Sequence, residues 1–374
     1  MLLLAAYLLL ALQAAPQNDS PPLKRHNLIP AQQRAFLATG YFTTGYNDAA
    51  ESPSSFYAAL NPVFVWRPSA DFLAEAEVEF TSGAEGEEDP DNLELEYAQA
   101  AWLACDWATI GAGLFLSPLG LFSERYHPTW INRLPTDPLI AGNDGIVPFN
   151  LLGAQARGQW QTGEDAAVAW VVFAANGPQL NNGLVEEEEA GFLQFDPEQD
   201  DSQSKAFGGR VAWAPCSWAE IGINGMSADV DGEGTSEADL TAQIVGLDAA
   251  LRWNAGDAGV FRADFEWFQS TVDDTTYLPA TPDAVTFDNE RSGGYLLLAF
   301  RPAGGDVLDH LEGVVRFDWL NLPAGAPEDA DVNRVTAGLD WWFDASRVIK
   351  VAMDNMDVDG ESSSNFYLQF AMLL

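Results

Sequence analysis

Residues 117–148 read SPLGLFSERYHPTWINRLPTDPLIAGNDGIVP, and no other stretch before Leu184 runs so long without the make-up of a strand. Pro118, Pro128, Pro135 and Pro138 bring no amide donor and interrupt any hydrogen-bonded ladder. The segment is nevertheless not polar filler. Leu119, Leu121, Phe122, Tyr126, Trp130, Ile131 and Leu134 call for burial, and Glu124, Arg125, His127, Arg133 and Asp137 are interleaved with them. Long irregular segments of this kind carry function. The expectation is a loop folded into a β-barrel, its apolar side on the wall and those five polar side chains constricting an aqueous passage.

Both flanks of the stretch alternate in polarity, the mark of strands with two different faces. Before it the pattern gives Ala35–Tyr46, Ser55–Trp66, Asp71–Thr81, Leu93–Ala104 and Trp107–Leu116. After it come Leu151–Gln161, Asp165–Ala175, Lys205–Ala214, Trp218–Ala228, Asp239–Trp253 and Gly259–Val272. Arg291–Arg301, Val307–Leu320, Asp331–Phe343, Arg347–Met356 and Ser363–Leu374 complete sixteen candidate strands. Their connections are short and long in turn, seven short and eight long. That is the layout of an all-β, up-and-down antiparallel transmembrane barrel of about sixteen strands, with the quoted stretch as its third long loop.

The faces divide cleanly. Phe72, Ala74, Ala76, Val78 and Phe80 alternate with Glu75, Glu77 and Glu79; Phe261, Ala263, Phe265 and Trp267 alternate with Arg262, Asp264 and Glu266. Many apolar positions are Ala or Gly, poor material for the core of a two-sheet sandwich but acceptable against lipid. Trp66, Trp102, Trp107, Trp160, Trp213, Trp218, Trp253 and Trp341 lie beside short turns, where an interfacial aromatic girdle would stand. The polar face would then line the lumen. Its expected pore-wall residues are Glu75, Glu77, Glu79, Arg157, Arg210, Arg252, Arg262, Asp264, Glu266, Glu312, Arg316, Asp318, Arg334, Asp340 and Lys350. These charges can also pair with one another and simply brace the wall.

Composition narrows the partners. The 374 residues carry 56 Asp and Glu against 17 Lys and Arg, a formal charge of −39, which disfavours nucleic acid and anionic membrane surfaces. Cys105 and Cys216 have no metal spacing and fall in different short turns, about 20 Å apart at 4.8 Å per strand, so they are not expected to pair. Residues 1–15 resemble the apolar core of a signal peptide, and 16–33 read as a mobile leader ahead of a barrel spanning 34–374. Asp229–Gly234 and Asp357–Glu361 faintly resemble calcium loops, but Leu240 stands where the first would need its bidentate Glu. No metal, cofactor or catalytic residue is expected; GxSxG, HExxH and Walker patterns are missing.

Phe115–Leu139, above all Pro118-Leu119-Gly120, Glu124-Arg125 and His127-Pro128 with Trp130-Ile131-Asn132, resembles a stretch of the phosphate-selective type of Gram-negative outer-membrane porins and their relatives. Phe366, Leu368, Phe370, Met372 and Leu374 alternate to the last residue, similar to the C-terminal strand of such barrels, although these usually end in Phe. The resemblance implies sixteen strands, a third loop folded into the pore, a homotrimer and an outer-membrane location. Anion-selective members carry many pore Lys and Arg, whereas this chain has three Lys and a large acid excess. The expected function is therefore a passive, weakly cation-preferring channel for ions and small hydrophilic solutes, with outer-membrane lipid as its surroundings. The alternatives are a phosphate- or anion-selective porin, a non-conducting surface-architectural barrel, and a secreted acidic β-protein.

Overall fold

A computed structural model of the chain describes residues 35–50, 53–83, 91–142, 145–184, 189–196, 205–231, 235–236, 239–277 and 284–374. The leader with its signal-like segment, the acidic run 84–90, Glu186 to Glu188 and residues 232–234 of the first calcium-like loop lie outside the described residues. Sixteen antiparallel strands close into one barrel in chain order. They are β1 (Ala35–Asp48), β2 (Ser55–Arg67), β3 (Phe72–Ser82), β4 (Asp91–Cys105), β5 (Ala108–Leu116) and β6 (Asn150–Gln161). Then follow β7 (Ala167–Asn176), β8 (Lys205–Cys216), β9 (Ala219–Asp231), β10 (Asp239–Asn254) and β11 (Gly259–Val272). The last are β12 (Glu290–Pro302), β13 (Leu311–Asn321), β14 (Asp331–Asp344), β15 (Arg347–Val358) and β16 (Glu361–Leu373).

The ends meet as the alternation at the C-terminus requires. Tyr41 to Asp48 of β1 pair with Leu373 to Phe366 of β16, and the amide of Leu374 reaches the Gly40 carbonyl at 2.7 Å. One expected strand start is corrected. Gly305–Leu308 forms a short helical turn, α1, and β13 begins only at Leu311, so Val307 to His310 belong to the connection. Gly304 and Gly305 at positive φ turn the backbone there, which a strand would not tolerate.

The outside of the barrel is apolar and bare. Phe36, Phe64, Trp66, Phe72, Ile110, Val172, Phe207, Ile223, Leu247, Phe300, Leu339 and Met353 are all exposed, and they come from strands all around the barrel. Seven of the eight tryptophans expected beside short turns are exposed, from Trp102 at 46 % to Trp253 at 55 %; Trp341 is half-buried and stacks on His310. A continuous band of this size would be untenable in water and matches the hydrocarbon of a bilayer. The buried residues are inside. One apolar cluster joins the third loop (Leu119, Leu134, Ile140, Ile146) to the inner wall (Met226, Ile244, Phe268, Leu297) and to the outer loops (Leu193, Phe195, Tyr277, Phe287).

Candidate functional site

The third long loop enters from β5 and at once meets the far wall. The Gly120 amide donates to Asn224 Oδ1 at 2.9 Å and the Phe122 amide to Glu266 Oε1 at 2.9 Å. Gly120 holds φ +76°, and a Cβ there would lie 1.9 Å from Glu266 Oε2. Only glycine lets the backbone come this close. A single π-helical turn, Phe122–Tyr126, follows; the His127 amide reaches back five residues to the Phe122 carbonyl at 3.0 Å. Pro128 then prevents further helix.

That turn fans out three side chains. Glu124 meets Arg157 of β6, Arg125 meets Glu220 of β9 at 2.9 Å, and the Tyr126 ring lies 4.2 Å beneath the Arg262 guanidinium of β11. The second half of the loop crosses to the opposite arc. The Thr129 hydroxyl contacts Thr43 of β1, and the Thr129 carbonyl accepts from Lys350 of β15. Arg133 lies 3.6 Å from Glu312 of β13 and 5.2 Å over the Trp342 ring of β14. Arg316 donates to the carbonyls of Thr136 and Asp137, each at 2.7 Å, and Arg334 also reaches the Asp137 carbonyl. The return leg closes with the Ile146 and Val147 amides on the Ile140 carbonyl, both at 2.9 Å.

The five expected constriction residues therefore sit in the lumen, but most serve as anchors. His127 is 8 % exposed, edge-on to Phe149, with Nδ1–H donating to the Ser123 carbonyl at 2.5 Å and Nε2 without a partner. Burial pushes its pKa down to about 4, so the imidazole is neutral. Burial likewise lowers Arg133 to about 10, and Arg262 adds to the effect. Burial opposes ionisation of Glu124, yet Arg157 holds it below the ordinary carboxylate range. Asp137 differs from the other four: its side chain remains exposed to the lumen, with Asn132 Nδ2 3.3 Å from Oδ1.

The wall residues divide into two arcs. Across β8–β14 four basic groups of the expected list meet carboxylates. Arg210 holds Asp248 at 2.8 Å, Arg262 holds Asp264, Arg316 holds Asp318 at 2.8 Å, and Arg334 lies 3.4 Å from Asp318. Arg252 is exposed near the short-turn end of β10. Glu266 accepts from Tyr295 at 2.6 Å and Glu312 from Arg301 at 2.7 Å. On β3 the acids take neutral donors. Glu75 accepts from Gln99 at 3.0 Å, Glu77 from Tyr41 at 2.6 Å, and Glu79 from Asn61 at 2.6 Å and Thr81 at 2.7 Å. Neither oxygen of Asp340 has a hydrogen-bond partner, while its register partner Lys350 turns to Gln369 at 2.7 Å and to the loop.

Glu220, Asn224, Thr43 and Tyr295 were not among the expected site residues. Glu220 and Asn224 share the inward parity of β9 with Gly222 and Met226, which was the available signal. Thr43 and Tyr295 have inward parity too, but nothing local marks them as partners of a distant loop. Cys105 and Cys216 occupy the β4–β5 and β8–β9 turns, four strands apart as expected.

No protein-family model and no curated protein matches the chain. Solved structures do. The outer membrane channel DcaP of Acinetobacter baumannii superposes with a TM-score of 0.59 at 11 % identity, over 93 % of this chain and 99 % of that one. An anion-selective porin from Comamonas acidovorans gives 0.54 at 10 % identity, over 91 % and 100 %. Salmonella typhi OmpF, solved with daunomycin, gives 0.55 at 10 % identity, over 91 % and 97 %. At these identities the likeness is one of fold: this chain has the closed sixteen-stranded barrel of Gram-negative outer-membrane porins.

Proposed function

We propose that this protein acts as a porin-type channel, not an enzyme, in the outer membrane of a Gram-negative bacterium, passing ions and small hydrophilic solutes with a weak preference for cations. The observation that carries the reading is a barrel apolar outside and charged inside, with its longest loop folded into the lumen. An architectural barrel has no need of an inner face on which charged residues recur strand after strand. The exterior argues in the same way against a secreted soluble protein.

The cation preference rests on how the charges are used. Arg210, Arg262, Arg316 and Arg334 of the β8–β14 arc are neutralised by adjacent carboxylates, whereas Glu75, Glu77 and Glu79 are held by neutral donors. Asp137 adds an exposed acid on the loop. Local fields, not net charge, set ion preference. A phosphate- or anion-selective channel would need free cations along the passage, where Arg210, Arg262 and Arg316 are paired. The tightness of the lumen favours one second reading, a barrel that does not conduct.

We also propose a homotrimer. The outer face of β3–β7 carries a row of cross-strand alanine pairs, Ala76 with Ala98, Ala100 with Ala112, Ala112 with Ala154, and Ala154 with Ala174. Small residues let membrane-embedded surfaces approach closely. The test of function is solute entry into liposomes holding the refolded protein. Faster entry of a small amine than of a carboxylate of equal size supports the reading. Faster entry of the carboxylate favours the anion-selective alternative, and no entry of either favours the architectural one.

A further inference from the structure

We infer that this barrel is built closed, and that the segment Thr129–Pro138 is the moving gate; the inference rests on the channel reading above. Every one of the sixteen strands contributes at least one inward side chain no more than 8 % exposed, among them Tyr41, Tyr97, Arg210, Asp264, Arg316 and Gln369. A loop lying along one wall would leave the opposite wall wet. Here the loop is bonded to β6, β9 and β11 on one side and to β1, β13, β14 and β15 on the other. It crosses the lumen as a diaphragm.

The two halves of the diaphragm are fastened differently. In the first half, loop amides donate to the buried acceptors Asn224 and Glu266, and Gly120 is fitted against Glu266 with no room to spare. In the second half the wall donates. Arg316, Arg334 and Lys350 grip loop carbonyls, which water can solvate when the loop departs. All three donors keep other partners: Arg316 and Arg334 stay by Asp318, and Lys350 on Gln369. Arg133, at 3.6 Å from Glu312, is the longest of the ion pairs made by the loop. Asp137 is already exposed. Departure of the second half therefore strands few charges, whereas departure of the first would take the Phe122 amide from buried Glu266 and leave it the Tyr295 hydroxyl. Charged anchorage of this kind is no more stable than apolar packing would be, but it has a hydrated alternative. Release would open a passage between the second half and the arc β13–β16 with β1.

Single-channel recording in planar bilayers tests this with a Thr43→Cys/Thr129→Cys variant on a Cys105→Ala/Cys216→Ala background. The two hydroxyls touch, so the introduced thiols fall within disulfide reach. The reduced protein should open intermittently, the oxidised one should stay shut, and reductant should restore opening. As a second variant, Arg316→Ala/Arg334→Ala should raise the open probability about tenfold or more. If the oxidised protein conducts like the reduced one, Thr129–Pro138 is not the gate and the inference is overturned. If neither the reduced protein nor the arginine variant conducts at any voltage, the channel reading fails and takes this inference with it.

Discussion

Arg316 of β13 holds Asp318 on its own strand at 2.8 Å and, with its other nitrogens, two successive loop carbonyls, Thr136 and Asp137, each at 2.7 Å. One guanidinium therefore belongs to the wall and to the diaphragm at once, with its fork fixed by the acid behind it. Replacing Arg316 by Ala should loosen the loop by about 3–5 kcal/mol, the usual cost of breaking a buried charged contact. Arg334 stays near Asp318 at 3.4 Å and should soften the loss. Limited trypsin digestion in detergent reads it: cleavage after Arg125 or Arg133 should become rapid in the variant and remain slow in the wild type.

Gly120→Ala should uncouple the loop while leaving the barrel intact. The added Cβ would meet Glu266 Oε2 at 1.9 Å, and a positive φ of +76° is unfavourable for alanine. Unheated protein should keep the compact electrophoretic mobility of a folded barrel, yet be cut in the loop as readily as the Arg316 variant. Loss of the compact form would show that the loop holds the barrel together, against this account.

The share of loop docking that depends on His127 should weaken in acid, while Asp137, pushed up to about 6 by desolvation in the lumen, acts in the opposite sense. Burial holds His127 at about 4 against an ordinary 6.5, so the docked loop binds the proton less well than the undocked loop. The docking stability linked to His127 is complete above pH 6.5 and is lost as pH falls toward 4. Glu124, held low chiefly by Arg157 against the effect of burial, acts in the same sense at lower pH. Trypsin is unsuited to this range, so protection of loop amides by hydrogen exchange is the readout. A His127→Phe variant should lose the component between pH 6.5 and 4; an unchanged pH profile would contradict the assignment.

The alanine row on β3–β7 predicts the oligomer contact. Ala112→Trp places bulk in the middle of that row, between Ala100 and Ala154, and should convert trimers to monomers in mild detergent by light scattering. Ala263→Trp, on the bulkier outer face of β11, should leave the assembly unchanged. Equal behaviour of the two variants would refute the proposed contact.

Much of this was legible in the sequence because a barrel strand displays both faces in its alternation. Phe261, Ala263, Phe265 and Trp267 had to point one way, and Arg262, Asp264 and Glu266 the other. The third loop was legible from its prolines and misplaced charges. What it touches was not, since the contacts of Thr129 with Thr43 and of Arg316 with Thr136 join residues far apart in the chain, and neither partner is unusual locally. Nor could composition reveal that an apolar cluster from Leu193 and Phe287 would continue through the lumen to Ile140. Charges spaced along a wall read as a wet passage; only their partners showed that they grip a loop. The helical turn Gly305–Leu308 was missed because Val307 and Leu308 continue the apolar beat of the following strand.

The most direct test of the channel account is the zero-current potential of the refolded protein across a KCl gradient, recorded during its openings. The account predicts a modest potential of the sign set by K⁺, shrinking as both solutions are raised toward 1 M, where the screening length falls to about 3 Å. Neutralising Arg125 and Arg133 should enlarge it, because their partners Glu220 and Glu312 then lose one counter-charge each. A clear potential of the sign set by Cl⁻, persisting at high salt, would contradict the account and make an anion-selective channel the better description.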